Sequence, residues 1–288
     1  MRASGSSDTF RVDIDAPLNK TPNFLQECLD LAEYVHDRKQ GKLYLMYSGG
    51  VDSEFVLNVF LQLGIEITPV IIKLNPGYNA HDVKYAFDFC SSRGLKPLII
   101  DMDFDHFVKS GAIVDLANKH KISTYQLPST FHCLNKVEGT IIMGSHSLPH
   151  IAKDEDSGIW YVDEYEPIWT CLDYFKKNGL YGCPFFLSYT AEQYLAILQH
   201  PIMSQLANNQ VPGKLGSNSS KCAILNSIST FNMRPRPKFT GYENIETSTI
   251  FQHENLQIFK QFEKQWFGVH REPFNDMLER LNENKNNN

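Results

Sequence analysis

The chain has 288 residues, 42 % of them apolar and 21 % charged, with a formal net charge of −6. That balance suits an ordinary globular protein, one large domain or two modest ones with a sizeable core. The acidic excess rules out a global positive field that would draw the chain to nucleic acid or anionic lipid, and no apolar run is long enough to span a bilayer.

Residues 1–21 are polar and irregular and read as an arm. The opening MRASGSSDTF has no apolar signal-peptide core, so the expected setting is the cytoplasm. TPNFLQECLDLAEYVHDRKQG then predicts a helix, with Phe24, Leu25, Cys28, Leu31, Ala32 and Val35 at helical spacing and Gly41 as its stop. KLYLMY predicts a first strand, and VDSEFVLNVFLQLG a helix ended by Gly64. ITPVIIKL is a near-continuous apolar run that suits a strand buried on both faces. AHDVKYAFDFCSSRG predicts a helix, LKPLIIDMD a strand, DHFVKSGAIVDLANKH and PSTFHCLNKV two further helices, and TIIMGS a further strand.

Strands alternating with helices of this length predict an α/β fold with a parallel sheet covered on both faces. Beyond about residue 150 the alternation stops. The segment from Trp160 to Tyr194 is dense in aromatic residues, which suit a core or a subunit interface and are compatible with a homo-oligomer. Thr190 and Gln193 in YTAEQYLAIL have capping-box spacing, NNQVPGKLGSNSSK reads as a loop, and FNMRPRPKFTGYEN is basic, proline-rich and extended. HENLQIFKQFEKQWFGV predicts a helix and NENKNNN a disordered tail. The expected division is an arm and helix over 1–40, a nucleotide-binding α/β domain over 41–150, a mainly helical substrate or closure region over 151–280, and a tail over 281–288.

SGGVDS, residues 48–53, sits where the first strand turns into a helix. A helix amino terminus presents unpaired N–H groups and partial positive charge, and phosphate binds there readily. Gly49 and Gly50 let the backbone pass close to an anion, and Ser48 and Ser53 add hydroxyl donors. Asp52 would repel a phosphate directly, so its better use is to hold a Mg²⁺ that bridges phosphates or to cap the helix. Neither GxxxxGK[ST] nor GxGxxG is present, which argues against a P-loop kinase or GTPase and against a dinucleotide-binding enzyme.

SGGVDS after an apolar strand resembles the pyrophosphate loop of the PP-loop ATP pyrophosphatase superfamily, which has an adenine nucleotide alpha hydrolase-like fold. The resemblance extends to about residue 150. It implies a parallel twisted sheet, ATP and Mg²⁺ as ligands, and cleavage of ATP between its α- and β-phosphates. Pyrophosphate would rest on Ser48, Gly49, Gly50, Val51, Asp52 and Ser53, with Asp52 both catalytic and the metal ligand. AMP would pass to a small molecule or an RNA base, although the net charge does not favour RNA. Lys73 and Asn75, at the end of the second strand, are candidates for the adenine and ribose pocket. Gly144, Ser145 and His146 would come near the α-phosphate or the substrate.

The six cysteines, at 28, 90, 133, 171, 183 and 222, form no CxxC pair and read mostly as buried thiols. The cysteine clusters of the family's deazaguanine synthases and many tRNA thiolases are absent, and so is the carboxyl-terminal cysteine of PAPS reductases. A nitrogen nucleophile attacking the adenylate is therefore the expected chemistry. A PAPS-reductase-like or sulfur-transfer enzyme using Cys133, Cys171 or Cys183 stays as an alternative, as does a nucleotide-binding module without turnover. Arg234, Arg236 and Lys238 in RPRPK suit phosphate clamping, against the simpler reading of a surface loop. His146 and His150 with Asp154 have metal-ligand spacing but read better as loop histidines, and KDED at 153–156 as a solvated acidic turn.

Overall fold

Two periods organise the first half of the chain, a 3.6-residue apolar stripe in its helices and a twofold alternation in its strands. The computed structural model describes residues 2–6, 9–13, 22–144, 150–163, 167–208, 218–237, 240–243, 257–262 and 272–279. Residues 2–6 and 9–13, expected as part of an irregular arm, form instead an antiparallel pair of strands, β1 (Arg2–Ser6) and β2 (Thr9–Asp13). The helix α1 (Phe24–Asp37) starts where the Asn23 side chain accepts from the Gln26 amide, and it buries Phe24, Cys28, Leu31, Ala32 and Val35.

The βα units then follow in the expected order. They are β3 (Leu43–Met46), α2 (Val51–Gln62), β4 (Thr68–Asn75), α3 (Ala80–Ser92) and β5 (Leu98–Asp103). The helical stretch expected over 105–120 is broken into α4 (Phe104–Lys109) and α5 (Ala112–His120), because the chain turns through Gly111 at φ +79°. α6 (Gln126–Leu134) and β6 (Thr140–Met143) complete this half.

The main sheet has the order β5-β4-β3-β6-β9, with every pair parallel. Side chains on its two faces enter two separate cores. Leu43, Leu45, Ile71 and Ile142 pack with α1, α2 and α3, whereas Met46, Val70, Ile141 and Met143 pack with α4, α5 and α6. This is why the strands read as continuous apolar runs.

The carboxyl half bears out the mainly helical expectation in part and adds strands to it. After a hairpin of β7 (His150–Lys153) and β8 (Trp160–Asp163), the chain adds α7 (Pro167–Lys177) and then β9 (Tyr181–Cys183), so one more αβ unit extends the main sheet. Three residues are too few to show a period. β9 also lies so close to β6 that a Cβ on Gly182 would come within 1.8 Å of the Ile141 carbonyl oxygen. The acidic 153–156 turn is the tip of the β7–β8 hairpin, where Asp154 accepts from the Ser157 amide at 2.9 Å.

Helices α8 (Ala191–Leu198), α9 (Pro201–Ala207) and α10 (Asn218–Ile228) follow, and β10 (Glu272–Pro273) pairs with β8. The capping box at Thr190 and Gln193 is present. Gln193 is fully buried and satisfied, its Oε1 accepting from the Tyr189 and Thr190 amides and its Nε2 donating to Cys28 Sγ at 3.3 Å. Residues 218–221, read as loop, begin α10, since Asn and Ser favour helix starts as much as loops. Of the helix expected over 253–269, residues 257–262 are helical and the rest lies outside the described residues, as does the tail.

His120 ends α5 with its side chain fully buried, 4.9 Å from the Tyr174 ring and 6.2 Å from that of Phe131. Neither ring nitrogen has a hydrogen-bond partner, and the Asp173 carboxylate stands 3.8 Å from Nδ1. Burial holds its pKa below the ordinary value of 6.5; Lys119 and Lys177 act the same way and Asp173 opposes them. The unfolded chain therefore takes up a proton near neutrality that the folded chain refuses. Stability is complete above about pH 6.5 and declines as pH falls below it. The urea midpoint should drop between about pH 7.5 and 5.5, and His120→Phe should remove part of that drop. An identical pH slope in the variant would show that His120 titrates freely in the folded chain.

Candidate functional site

At the carboxyl end of β3 the Tyr47 amide makes a last bond to the Val70 carbonyl at 2.8 Å, and the chain then turns through Ser48, Gly49 and Gly50 into α2. β3 leads by way of α2 to β4 on one side, while β6 pairs with its other edge. The crevice between the carboxyl ends of β3 and β6 is thus the switch point where open parallel sheets bind ligands. Gly144, just past β6, lies against the loop, and a Cβ there would stand 2.8 Å from the Ser53 Cα.

Gly49 has φ +83°, and a Cβ on it would stand 2.5 Å from the Asp82 carbonyl oxygen and 2.9 Å from the Ala86 nitrogen. The loop is therefore pressed onto the backbone of α3, where only glycine fits. Gly50, the N-cap of α2, brings no side chain to the first amides of the helix, which stay available to an anion. Hydroxyls brace the turn. Ser48 Oγ accepts from the Gly50 amide at 3.2 Å, Ser53 Oγ donates to the Gly50 carbonyl at 3.1 Å, and the two Oγ atoms are 3.3 Å apart.

Two cations from the carboxyl half reach the acidic first turn of α2. Lys221 Nζ, on α10, lies 2.7 Å from Asp52 Oδ2, with the two side chains 13 % and 21 % exposed. The other oxygen, Oδ1, is buried without a partner. Arg236 donates through NH1 to the Gly49 carbonyl and through NH2 to Glu54 Oε2, and its Cζ lies 5.2 Å from the Tyr85 ring centroid. Glu54 is buried and also accepts from the Tyr47 hydroxyl at 3.3 Å. Burial, and after it the Glu54 charge, pushes the Tyr47 pKa up, so this phenol stays protonated. Burial also raises the Asp82 carboxyl, against the pull of His81 at 3.5 Å. Two carboxylates facing two cations leave the helix amino terminus as the uncompensated positive feature.

The structure thus brings Ser48–Ser53, Gly144 and Arg236 together. Arg234 is exposed, and Ser145, His146 and Lys238 lie outside the described residues. Lys73 and Asn75 are placed elsewhere, both bonded to Asp101 at 3.1 and 3.4 Å. They line a cleft of about 310 Å³ with Ala80, Val83, Lys84 and Phe87 of α3. Asp82 and Ala86, which meet the loop, occupy the opposite side of that helix, so the body of α3 separates cleft and loop. Sequence reasoning missed Lys221, Glu54, Tyr47, Asp82 and Tyr85. Glu54 adjoins the motif and carries charge into a first helical turn, which was a usable signal; Lys221 offered none.

No described residues group three or more His, Cys, Asp or Glu side chains as a metal cluster. All six thiols are buried and free. Burial pushes Cys133 up to about 11 and Cys183 up to about 12, and raises Cys171 as well. Such thiols make poor nucleophiles. A thiol reagent should label none of the three in the native chain and all of them in urea. Rapid native labelling of any one would reopen sulfur chemistry. No described helix is long and apolar enough to cross a membrane.

No family model matches the chain, and no curated protein matches it. Among solved structures it is similar to one described as a predicted subunit of tRNA methyltransferase from Methanocaldococcus jannaschii, at 14 % identity and TM-score 0.34, over 69 % of this chain and 95 % of that one. It is also similar to an NH3-dependent NAD synthetase from Campylobacter jejuni, at 14 % identity and TM-score 0.36, over 84 % of this chain and 92 % of that one.

Proposed function

We propose that the chain is a PP-loop ATP pyrophosphatase, which binds Mg²⁺–ATP at Ser48–Ser53, transfers AMP to an oxygen of its substrate and releases pyrophosphate. A nitrogen nucleophile would then displace AMP. One observation carries this reading: the SGGVDS turn sits at the switch point of a parallel sheet, pressed onto α3 at Gly49, with the first amides of α2 uncapped.

In this reading the amides of Val51, Asp52 and Ser53 and the hydroxyls of Ser48 and Ser53 hold phosphate oxygens. Asp52 fits a hard cation, because its Oδ1 is a buried oxygen with no other partner. Magnesium, when bound there, would supply positive charge that offsets the charge of the phosphates. Lys221 pairs with the other oxygen of the same carboxylate and fixes its orientation. Catalysis is then mainly positioning and charge stabilisation, with no general base required of the chain.

The test is pyrophosphate release from ATP across a panel of carboxylate, amide and nucleobase substrates. Release with at least one substrate, absent from Asp52→Asn, supports the reading. Tight ATP binding without release across the panel would instead support the non-catalytic module.

A further inference from the structure

Residues 231–237 and 240–243 lie along the carboxyl edge of the main sheet. At one end Phe231 packs on Phe55 of α2, with ring centroids 5.3 Å apart. Met233 exchanges two backbone bonds with the Asn226 side chain, at 2.6 and 2.9 Å. At the other end Gly241 lies against the turn before α3, where a Cβ would stand 2.1 Å from the Tyr78 carbonyl oxygen. Tyr242 meets Phe104 and Tyr125, with centroids 5.9 and 5.5 Å apart. Arg236 lies between these anchors.

A phosphate ligand needs its charge uncommitted. The Arg236 fork spends NH2 on the buried Glu54 and NH1 on the Gly49 carbonyl. The carbonyl contact has a direct geometric consequence. In a trans peptide C=O and N–H point in opposite directions, so holding the Gly49 carbonyl also fixes the Gly50 N–H. That amide faces the Ser48 side of the turn. A peptide between two glycines is the easiest in the loop to turn over, and turned over it would present an oxygen to an incoming anion. We propose that Arg236 is a positioning residue, held by Glu54, which Tyr47 holds in turn, and that it locks the Gly49–Gly50 peptide with its carbonyl oxygen turned away from an incoming anion. The phosphate-clamp role expected of Arg236 is replaced by this one, and the inference rests on the phosphate-site reading of the loop.

The two roles differ in the sign of one substitution. If Arg236 touched the anion, Glu54→Gln would release its charge and tighten anion binding. As a brace, Arg236 loses its hold when Glu54 is neutralised, and binding weakens. Wild type, Glu54→Gln, Arg236→Met and Arg236→Lys are titrated with inorganic pyrophosphate by calorimetry. Amide exchange over residues 48–53 is measured on the same proteins without ligand, with α1 and α8 as the control for folding.

The brace predicts that Glu54→Gln and Arg236→Met each weaken binding about tenfold or more, and that loop amides exchange faster while α1 and α8 do not change. Arg236→Lys behaves like Arg236→Met, since an ammonium cannot bridge both acceptors; a direct ligand would keep part of its affinity as lysine, which binds phosphate as a point charge. Tighter binding in Glu54→Gln, or unchanged loop exchange in Arg236→Met, overturns the proposal. If the wild type takes up no pyrophosphate, the phosphate-site reading fails alone, and the exchange measurement still decides the brace.

Discussion

Gly49→Ala is expected to lower stability by about 2–5 kcal/mol and to remove nucleotide binding. Two costs combine at this position. The residue has φ +83°, a left-handed conformation that costs a side chain about 1–2 kcal/mol. The new Cβ would also fall 2.5 Å from a main-chain oxygen of α3, which cannot swing aside as a side chain would. Either the loop lifts off α3 or the first turn of α2 unwinds, and both disperse the amides that face an anion. Gly64 is the control, since it has φ +66° and open space around it. Gly64→Ala should cost about 1–2 kcal/mol and leave binding intact. Urea midpoints and calorimetry on both variants check this; equal losses in the two would show that the contact with α3 carries no weight.

Asp52→Asn is the second large effect. The amide keeps the shape and removes the charge, so both the Lys221 ion pair and the cation-binding oxygen are weakened. Mg²⁺-dependent ATP affinity should fall about 10- to 100-fold, in line with the loss of a charge-assisted contact. Stability should fall by about 1–3 kcal/mol, because Lys221, only 13 % exposed, is left without its carboxylate. Lys221→Met removes that stranded charge, so the double variant should be more stable than the sum of the single losses implies. Additive losses would mean that the ion pair contributes nothing, and an unchanged ATP affinity in Asp52→Asn would remove Asp52 from the site.

The βα order up to residue 143 and the SGGVDS turn were legible because both are local. Apolar period, glycine stops and a strand–loop–helix junction all fall within a few residues of each other. The capping box at Thr190 and Gln193 was legible for the same reason. β9 was not, because it has three residues and is held by the sheet rather than by its own pattern. Nor were the partners of the loop. Lys221 and Asp52 are 169 residues apart, and Arg236 and Gly49 are 187 apart. Nothing in a stretch such as SNSSK says which carboxylate its lysine will meet. The RPRPK segment did point to the loop, but which of its cations arrives there depends on the anchors at Phe231, Met233 and Gly241. Lys73 and Asn75 were assigned to the nucleotide by the resemblance at the end of β4; in the structure both bond to Asp101 and line the cleft beside α3.

The most direct measurement is amide hydrogen exchange across the wild-type chain, with and without Mg²⁺–ATP. A phosphate site at the switch point should slow exchange at residues 48–53 and along the first turn of α2, with a smaller effect at Gly144. Protection confined to the cleft beside Lys73 and Lys84, or no change at 48–53 while ATP binds, would contradict it.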